Sequence, residues 1–209
     1  MRIHRGFTIM AIAAATALSG GLVASAGAKG HSIECNKSYS NTTLHGGVVV
    51  KSGDNCMLNN VVVTGGLTVT GGTFQVDNSL IRGGWTLTGG LAKNRDQCGN
   101  NIYGGLRVMN ANGGRFNFGE TNRHCAGGRI NGGVRLVNNS GVNIDVDGYR
   151  INGPIVDTGN SGTWNEVEGV TVHGSARCAH NNFVHGGTTA LNDEGGPNSY
   201  TGKNRGCPA

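Results

Sequence analysis

Basic, amide and phenolic side chains recur at fixed distances from a repeated glycine pair. Arginine binds carboxylates through paired hydrogen bonds and keeps its charge, so a row of arginines on a flat surface suits a linear polyanion. Immediately before the pairs stand His45, Thr64, Arg82, Tyr103, Asn131, Asn152 and His173. Two residues earlier stand Asn101, Arg129, Arg150 and Thr171, and after the pairs stand Arg107, Arg135 and Arg177. We expect these residues to converge on one basic face.

Acidic residues form a second candidate site. If Ile144 and Val146 are buried, alternation points their neighbours outward, and the next repeat places two more acids in equivalent positions. The four carboxylates are Asp145, Asp147, Glu166 and Glu168. They could bind a divalent cation, for which calcium is the natural choice, or act as an acid and base pair in glycoside hydrolysis. A solvated acidic strand pair is the plain alternative.

The glycine pairs set a repeat for the whole chain. They are Gly46-Gly47, Gly65-Gly66, Gly83-Gly84, Gly104-Gly105 and Gly132-Gly133, continued by Gly153-Pro154 and Gly174-Ser175. Successive pairs are 18 to 21 residues apart, except for one interval of 28. Each pair precedes a short alternating segment such as Leu67–Thr70, which predicts a strand with one buried face.

Three short strands and three turns in about twenty residues make one coil of a solenoid. We therefore predict an all-β, single-stranded, right-handed parallel β-helix of about seven coils, with each coil stacked roughly 4.8 Å from the last. The coils should span residues 46–185, and residues 186–209 should form an irregular tail. A β-sandwich or jelly roll is the competing architecture, but neither needs a glycine pair at near-constant spacing. Recurring asparagines are interpreted as structural turn ladders.

Six cysteines predict three disulfides in an oxidising compartment. Cys35 and Cys56 are about one coil apart, as are Cys98 and Cys125, which is a separation that allows disulfide geometry. Cys178 and Cys207 would then pin the tail. The count alone leaves fifteen pairings possible.

The N-terminus has the pattern of a secretory signal. A short basic start precedes an apolar run from Phe7 to Leu18 and a small-residue cleavage pattern, which predicts a signal peptide over residues 1–28 and a single mature domain over 29–209. A retained anchor is the alternative. The formal charge is +5, of which Arg2 and Arg5 contribute two. We expect a secreted monomer with a mild preference for anionic partners and no association with membranes. Nucleic acid is not an expected partner, because aromatic residues are few.

The chain resembles the right-handed parallel β-helix polysaccharide lyases, and in size and secretion it is similar to the small bacterial hyaluronate lyases. The resemblance depends on the signal segment, on the ladder from Gly46 to Gly174, and on a cluster of polar residues. The cluster is Tyr103, Asn131, Arg129 and Arg150. No motif of the pectate lyase families is matched, so their catalytic residues are not transferred.

The resemblance implies β-elimination at a uronate, with hyaluronan the leading substrate. A lyase of this class neutralises the substrate carboxylate, removes the C5 proton and protonates the leaving oxygen at C4. The neutralising candidates are Asn131 or Asn152 with Arg129 or Arg150, the acid and base candidates are Tyr103 or His173, and the substrate-holding candidates are Arg82, Arg107, Arg135, Arg150 and Arg177. No cofactor is expected by this reading. The alternatives are a calcium-dependent lyase of the pectate type and a noncatalytic carbohydrate-binding or adhesive solenoid.

Overall fold

The structure is a computed structural model that describes residues 31–90, 96–119, 124–140, 143–162, 164–183 and 197–207. The predicted signal segment, residues 1–28, lies outside the described residues. Every strand pair recorded between described strands is parallel, and each strand pairs with strands one repeat away along the chain. This topology is the predicted parallel β-solenoid, so the sandwich and jelly roll are wrong.

One side of the solenoid is a nine-stranded sheet whose strands follow the glycine corners. In order across the sheet, these strands are β1 (Ile33–Glu34), β4 (Val48–Val50), β7 (Leu67–Val69), β10 (Trp85–Gly90), β12 (Leu106–Asn112), β15 (Val134–Val137), β18 (Ile155–Thr158), β22 (Ala176–Ala179) and β25 (Asn204–Arg205).

A second side is an eight-stranded sheet whose strands come before the glycine corners. Its strands are β3 (Thr43–Leu44), β6 (Val62–Val63), β9 (Leu80–Ile81), β11 (Asn101–Tyr103), β14 (Arg129–Asn131), β17 (Arg150–Asn152), β21 (Thr171–His173) and β24 (Ser199–Tyr200). The two large sheets therefore meet along the column of glycine pairs.

The third side is divided into two three-stranded sheets. The first contains β2 (Ser38–Ser40), β5 (Asn55–Asn59) and β8 (Thr73–Asp77), and the second contains β13 (Arg115–Phe118), β16 (Asn143–Asp147) and β20 (Trp164–Glu168). A short pair, β19 (Ser161–Gly162) with β23 (Asn182–Phe183), lies apart. A full turn needs all three sides, so the described chain makes about six turns, slightly fewer than the seven predicted.

The core is a set of stacked columns of inward side chains. On the eight-stranded sheet one column is aliphatic through Val63, Ile81, Ile102, Ile130, Ile151 and Val172, all buried. Trp85 packs edge-on between Phe74 and Phe118, with ring centroids 5.9 and 5.2 Å away. A single coil cannot bury its apolar face alone, so this stacking is what stabilises the fold.

Asparagine side chains close the turns inside the solenoid, as predicted. Asn139 accepts a hydrogen bond from the Ala111 amide at 2.9 Å and donates one to the Val108 carbonyl at 2.8 Å. Asn160 repeats the pattern one turn later, accepting from the Asn139 amide at 2.8 Å. These bonds satisfy backbone groups that the strands leave without partners.

The three predicted disulfides are all present. Cys35–Cys56, Cys98–Cys125 and Cys178–Cys207 have Cα–Cα distances of 5.2, 4.9 and 4.8 Å. The last bridge holds a C-terminal segment that is more regular than expected, since residues 197–207 of the predicted tail contribute β24 and β25 to the two large sheets. Strands β1, β2 and β3 likewise extend the coils before Gly46.

Among the described residues, no helix is long and apolar enough to cross a membrane. The three disulfides fit an oxidising compartment.

Candidate functional site

The outer surface of the eight-stranded sheet carries the predicted polar cluster in the predicted register. Tyr103 is the parallel partner of Asn131, which is in turn the partner of Asn152, and Asn152 pairs with His173. Neighbouring members of this column are therefore one strand spacing apart, about 4.8 Å. Tyr103 is 45 % exposed and His173 is exposed, whereas the two asparagines are half-buried. We call this surface the amide face.

The two asparagines of the amide face are joined to each other. Asn152 Nδ2 donates to Asn131 Oδ1 over 2.6 Å. Since the Asn131 oxygen already accepts this bond, the Asn131 amide group presents its N–H donors to the surroundings. Donors at this position suit an anionic ligand.

A second outward column runs beside the first. Asn101 pairs with Arg129, Arg129 with Arg150, and Arg150 with Thr171. All four side chains are exposed. Within the described part of the chain neither arginine forms an ion pair. Two cations and two amides thus occupy a two-by-two patch on consecutive strands.

A surface depression adjoins this patch. Leu80, Arg82 and Tyr103 line a cavity of about 420 Å³. Arg82 follows β9 directly and lies one strand before Tyr103, because Ile81 pairs with Ile102. A ligand in this depression could therefore contact the phenol and a guanidinium group together.

The other predicted arginines lie on a different surface. Arg107 and Arg135 are partners on the nine-stranded sheet, and Arg177 lies two strands beyond Arg135 on the same sheet. The expectation of one converging basic face is therefore wrong. The glycine corner separates two basic columns, and a local sequence pattern does not encode the angle at that corner.

The acidic array, which consists of Asp145, Asp147, Glu166 and Glu168, is less exposed than alternation predicts. Asp145, Asp147 and Glu168 are 6 %, 1 % and 1 % exposed, so the prediction that both aspartates point into solvent is wrong. Strand β16 is buried on both faces. Gly119 and Gly127, both within the 28-residue interval, lie against the backbone of Asp147 and Gly148. Alternation predicts which side chains leave the core, but not whether other chain covers them.

The register of the acidic array is nevertheless the predicted one. Asp145 pairs with Glu166 and Asp147 with Glu168. One ligand oxygen each from Asp145, Glu166 and Glu168 lies within 4.8 Å of the others. All-oxygen carboxylate donors at such distances fit calcium. Asp147 is not part of this close group.

Sequence reasoning missed one basic residue, Arg205, which is the partner of Arg177 on the nine-stranded sheet. The sequence pattern predicts an irregular tail at this position. A signal was present, because Gly202 follows Gly174 by 28 residues, the same interval that separates Gly104 from Gly132. The Gly202 amide also donates a hydrogen bond to the Gly174 carbonyl, as expected at a corner.

Comparison with known proteins gives no match to any family model, to any curated protein or to any solved structure. Fold and site geometry alone therefore define the class of this chain, a disulfide-linked parallel β-solenoid with a polar, cationic outer face.

Proposed function

We propose that this chain is a secreted lyase that cleaves a uronate-containing polysaccharide by β-elimination, with hyaluronan the leading substrate. The observation that carries the proposal is the exposed Tyr103 on the strand next to Asn131 and Arg129. A phenol can transfer protons, and an amide donor and a guanidinium group can stabilise the negative charge that develops in a metal-independent elimination.

The chemistry assigns a separate task to each group. The C5 proton of a uronate is weakly acidic, so elimination needs hydrogen-bond donors and positive charge at the carboxylate to stabilise the developing enolate. Asn131 and Arg129 supply those donors. Tyr103, acting as the phenolate, takes the C5 proton, and the phenol so formed gives that proton to the C4 oxygen as the glycosidic bond breaks, which leaves a C4–C5 double bond in the product and restores the phenolate.

The spacing along the column prevents Tyr103 and His173 from sharing the proton transfers, and the depression that Tyr103 lines favours the tyrosine. Three strand spacings separate these residues, about 14 Å at about 4.8 Å each. A proton donor or acceptor must lie within hydrogen-bond reach of its target, so the two cannot act on one glycosidic bond. Asn152, Arg150 and His173 then contact sugars further along the same polymer, and Arg82 contacts the other side of the cleaved bond.

Purified mature protein should be screened against hyaluronan, chondroitin, pectate and alginate, with ultraviolet absorbance reporting unsaturated uronides. We expect Tyr103→Phe to lower the cleavage rate by about 100-fold or more, since general acid and base groups contribute that much. Asn131→Ala and Arg129→Ala should also lower it.

Tyr39→Phe is the matched control, because Tyr39 is a half-buried tyrosine on the third side of the solenoid. It should cleave like the parent protein. Full activity in all three site variants, or no unsaturated product from any of the four polymers, would sink the proposal.

Calcium-dependent cleavage is the second candidate, and the close group of Asp145, Glu166 and Glu168 favours it. These residues lie on the third side, not on the amide face, and two of them are buried. A cation held there would offset the repulsion among the carboxylates, but it would not reach a substrate bound at Tyr103. We therefore expect chelation to leave cleavage unchanged. Loss of cleavage on chelation, restored by calcium, would favour this candidate instead.

A noncatalytic carbohydrate-binding or adhesive solenoid is the candidate from another class. Retention on immobilised polysaccharide without any unsaturated product would support it. The amide face would then hold the polymer with the same donors and no proton transfer.

A further inference from the structure

A second basic surface lies on the nine-stranded sheet, around the glycine corner from the amide face. Arg107, Arg135, Val156, Arg177 and Arg205 are successive partners in one outward column. The two ends of this column are four strand spacings apart, about 19 Å. We call it the arginine ladder.

No described carboxylate neutralises the arginine ladder. Neither of the two ion pairs formed by described residues includes one of its arginines, which contrasts with Arg115, 3.8 Å from Asp96. Glu34 is the only acid at an outward position in the strands of this sheet, and it lies at the far end, bound to Lys51. Like charges facing each other on adjacent strands are destabilising, so a bound anion would relieve the ladder.

The outward column next to the ladder is uncharged. Met109, Val137, Thr158 and Ala179 form the neighbouring outward column, each the partner of the next. None of them is aromatic, so this surface offers no platform on which nucleic-acid bases could stack. Uncharged, largely apolar side chains beside a row of guanidinium groups suit the C–H faces and carboxylates of an extended sugar chain.

We infer that the arginine ladder binds a linear acidic polysaccharide along the solenoid axis, at a site separate from the amide face. Arg107 with Arg135 and Arg177 with Arg205 form two pairs on adjacent strands, and each pair can hold one acid group. Because the ladder is about 19 Å long, it selects a polymer over a small anion. The site requires no cleavage, and it would be retained if the amide face only binds.

Binding should be measured with the Tyr103→Phe protein as the common background, so that cleavage does not consume the ligand. The probes are fluorescent hyaluronan, fluorescent polygalacturonate and a single-stranded DNA of similar length. We expect Arg135→Ala/Arg177→Ala to weaken binding of at least one polysaccharide by about tenfold or more, and to reduce the dependence of affinity on salt, because two charge contacts are removed.

The matched control is Lys37→Ala, which removes one exposed charge from the third side and is to be compared with Arg135→Ala alone. Arg135→Lys separates charge from geometry, since lysine keeps the charge but loses the paired hydrogen bonds. It should recover only part of the affinity.

Three results would overturn the inference. The first is unchanged polysaccharide affinity in Arg135→Ala/Arg177→Ala. The second is a loss of affinity in Lys37→Ala as large as the loss in Arg135→Ala. The third is tighter binding of DNA than of either polysaccharide through the same arginines. Weakened binding in the double variant, with no unsaturated product from the parent protein, would support the ladder while the proposed lyase fails. Cleavage by the parent protein, with unchanged affinity in the double variant, would support the proposed lyase while the inference about the arginine ladder fails.

Discussion

Side chains of one type do different work according to which way the strand points them. Asn139 lies inside the solenoid, where both ends of its amide group bond to backbone and close a turn. Asn131 and Asn152 lie on the outer surface and bond to each other. The first kind stabilises the fold, and the second kind is available to a ligand.

The tyrosines show the same division. Tyr103 is exposed on the amide face, whereas Tyr149 is buried and Tyr200 is about half-buried. Burial raises the pKa of Tyr149 well above its usual value, an effect that the neighbouring Asn100 partly offsets. Burial also raises the pKa of Tyr200 to about 12.

Stability should therefore fall in alkali. Both tyrosines have a folded-state pKa above the unfolded value of about 10. Their contribution to the free energy of unfolding is therefore constant below pH 10 and is lost as pH rises above it. We expect the free energy of unfolding to be level between pH 8 and about 10 and to decrease beyond it, as measured by denaturant titration at each pH. Tyr149→Phe should flatten the decrease, and Tyr39→Phe should not. An identical slope in both variants would contradict this assignment.

At the scale of elements, the glycine corners are what let consecutive turns approach closely. Gly105 has φ +86°, and a Cβ there would lie 2.9 Å from the carbonyl oxygen of Gly132 and 3.0 Å from that of Gly133. Gly53 has nearly the same φ, +89°, but a Cβ there would meet nothing within 4 Å. A comparison of Gly53 with Gly105 therefore separates the effect of backbone strain from the effect of crowding.

Alanine at these two glycines should therefore give different losses of stability. Gly53→Ala adds only the left-handed strain, about 1–2 kcal/mol. Gly105→Ala adds crowding against the next turn, which costs about 1–3 kcal/mol more. Denaturant unfolding of both variants measures the difference. Equal losses would mean that glycine is needed at the corners for its positive φ alone and not for the close contact between turns.

At the scale of the whole molecule, the two ends of the solenoid are held by disulfides. Cys35–Cys56 closes the first turn, and Cys178–Cys207 fastens the segment that carries β24 and β25. Strands near an end have a neighbour on one side only, so they depend more on a covalent link than the middle turns do.

Removal of the C-terminal bridge should loosen one end first. Cys178→Ala/Cys207→Ala should lose about 2–4 kcal/mol of stability. Hydrogen exchange should become faster in β22, β24 and β25 while β7 and β10 stay protected, because a solenoid can open locally. The Cys35→Ala/Cys56→Ala variant is the control and should loosen the opposite end. Equal loss of protection in all strands would show that the coils open only together.

Much of this organisation can be predicted from local sequence. The glycine spacing aligns one turn with the next, so it correctly predicts that Tyr103 lies beside Asn131 and Arg129 beside Arg150. Alternation correctly predicts the buried apolar residues of the strands, including Phe116 and Phe118. Both depend on short-range geometry, namely the strand period of two and the need for glycine where turns approach closely.

Only the tertiary structure decides what each outward face meets. The glycine corner places Arg135 and Arg150 on different sheets, and Asp145 is buried although alternation points it outward. Arg205 joins the arginine ladder because a disulfide and two late strands extend the solenoid. These outcomes depend on the angle between sheets and on segments distant in sequence. The sequence by itself thus determined the turns and their register, and the tertiary structure decided that the basic residues form two surfaces and that three of the four residues of the acidic array are buried.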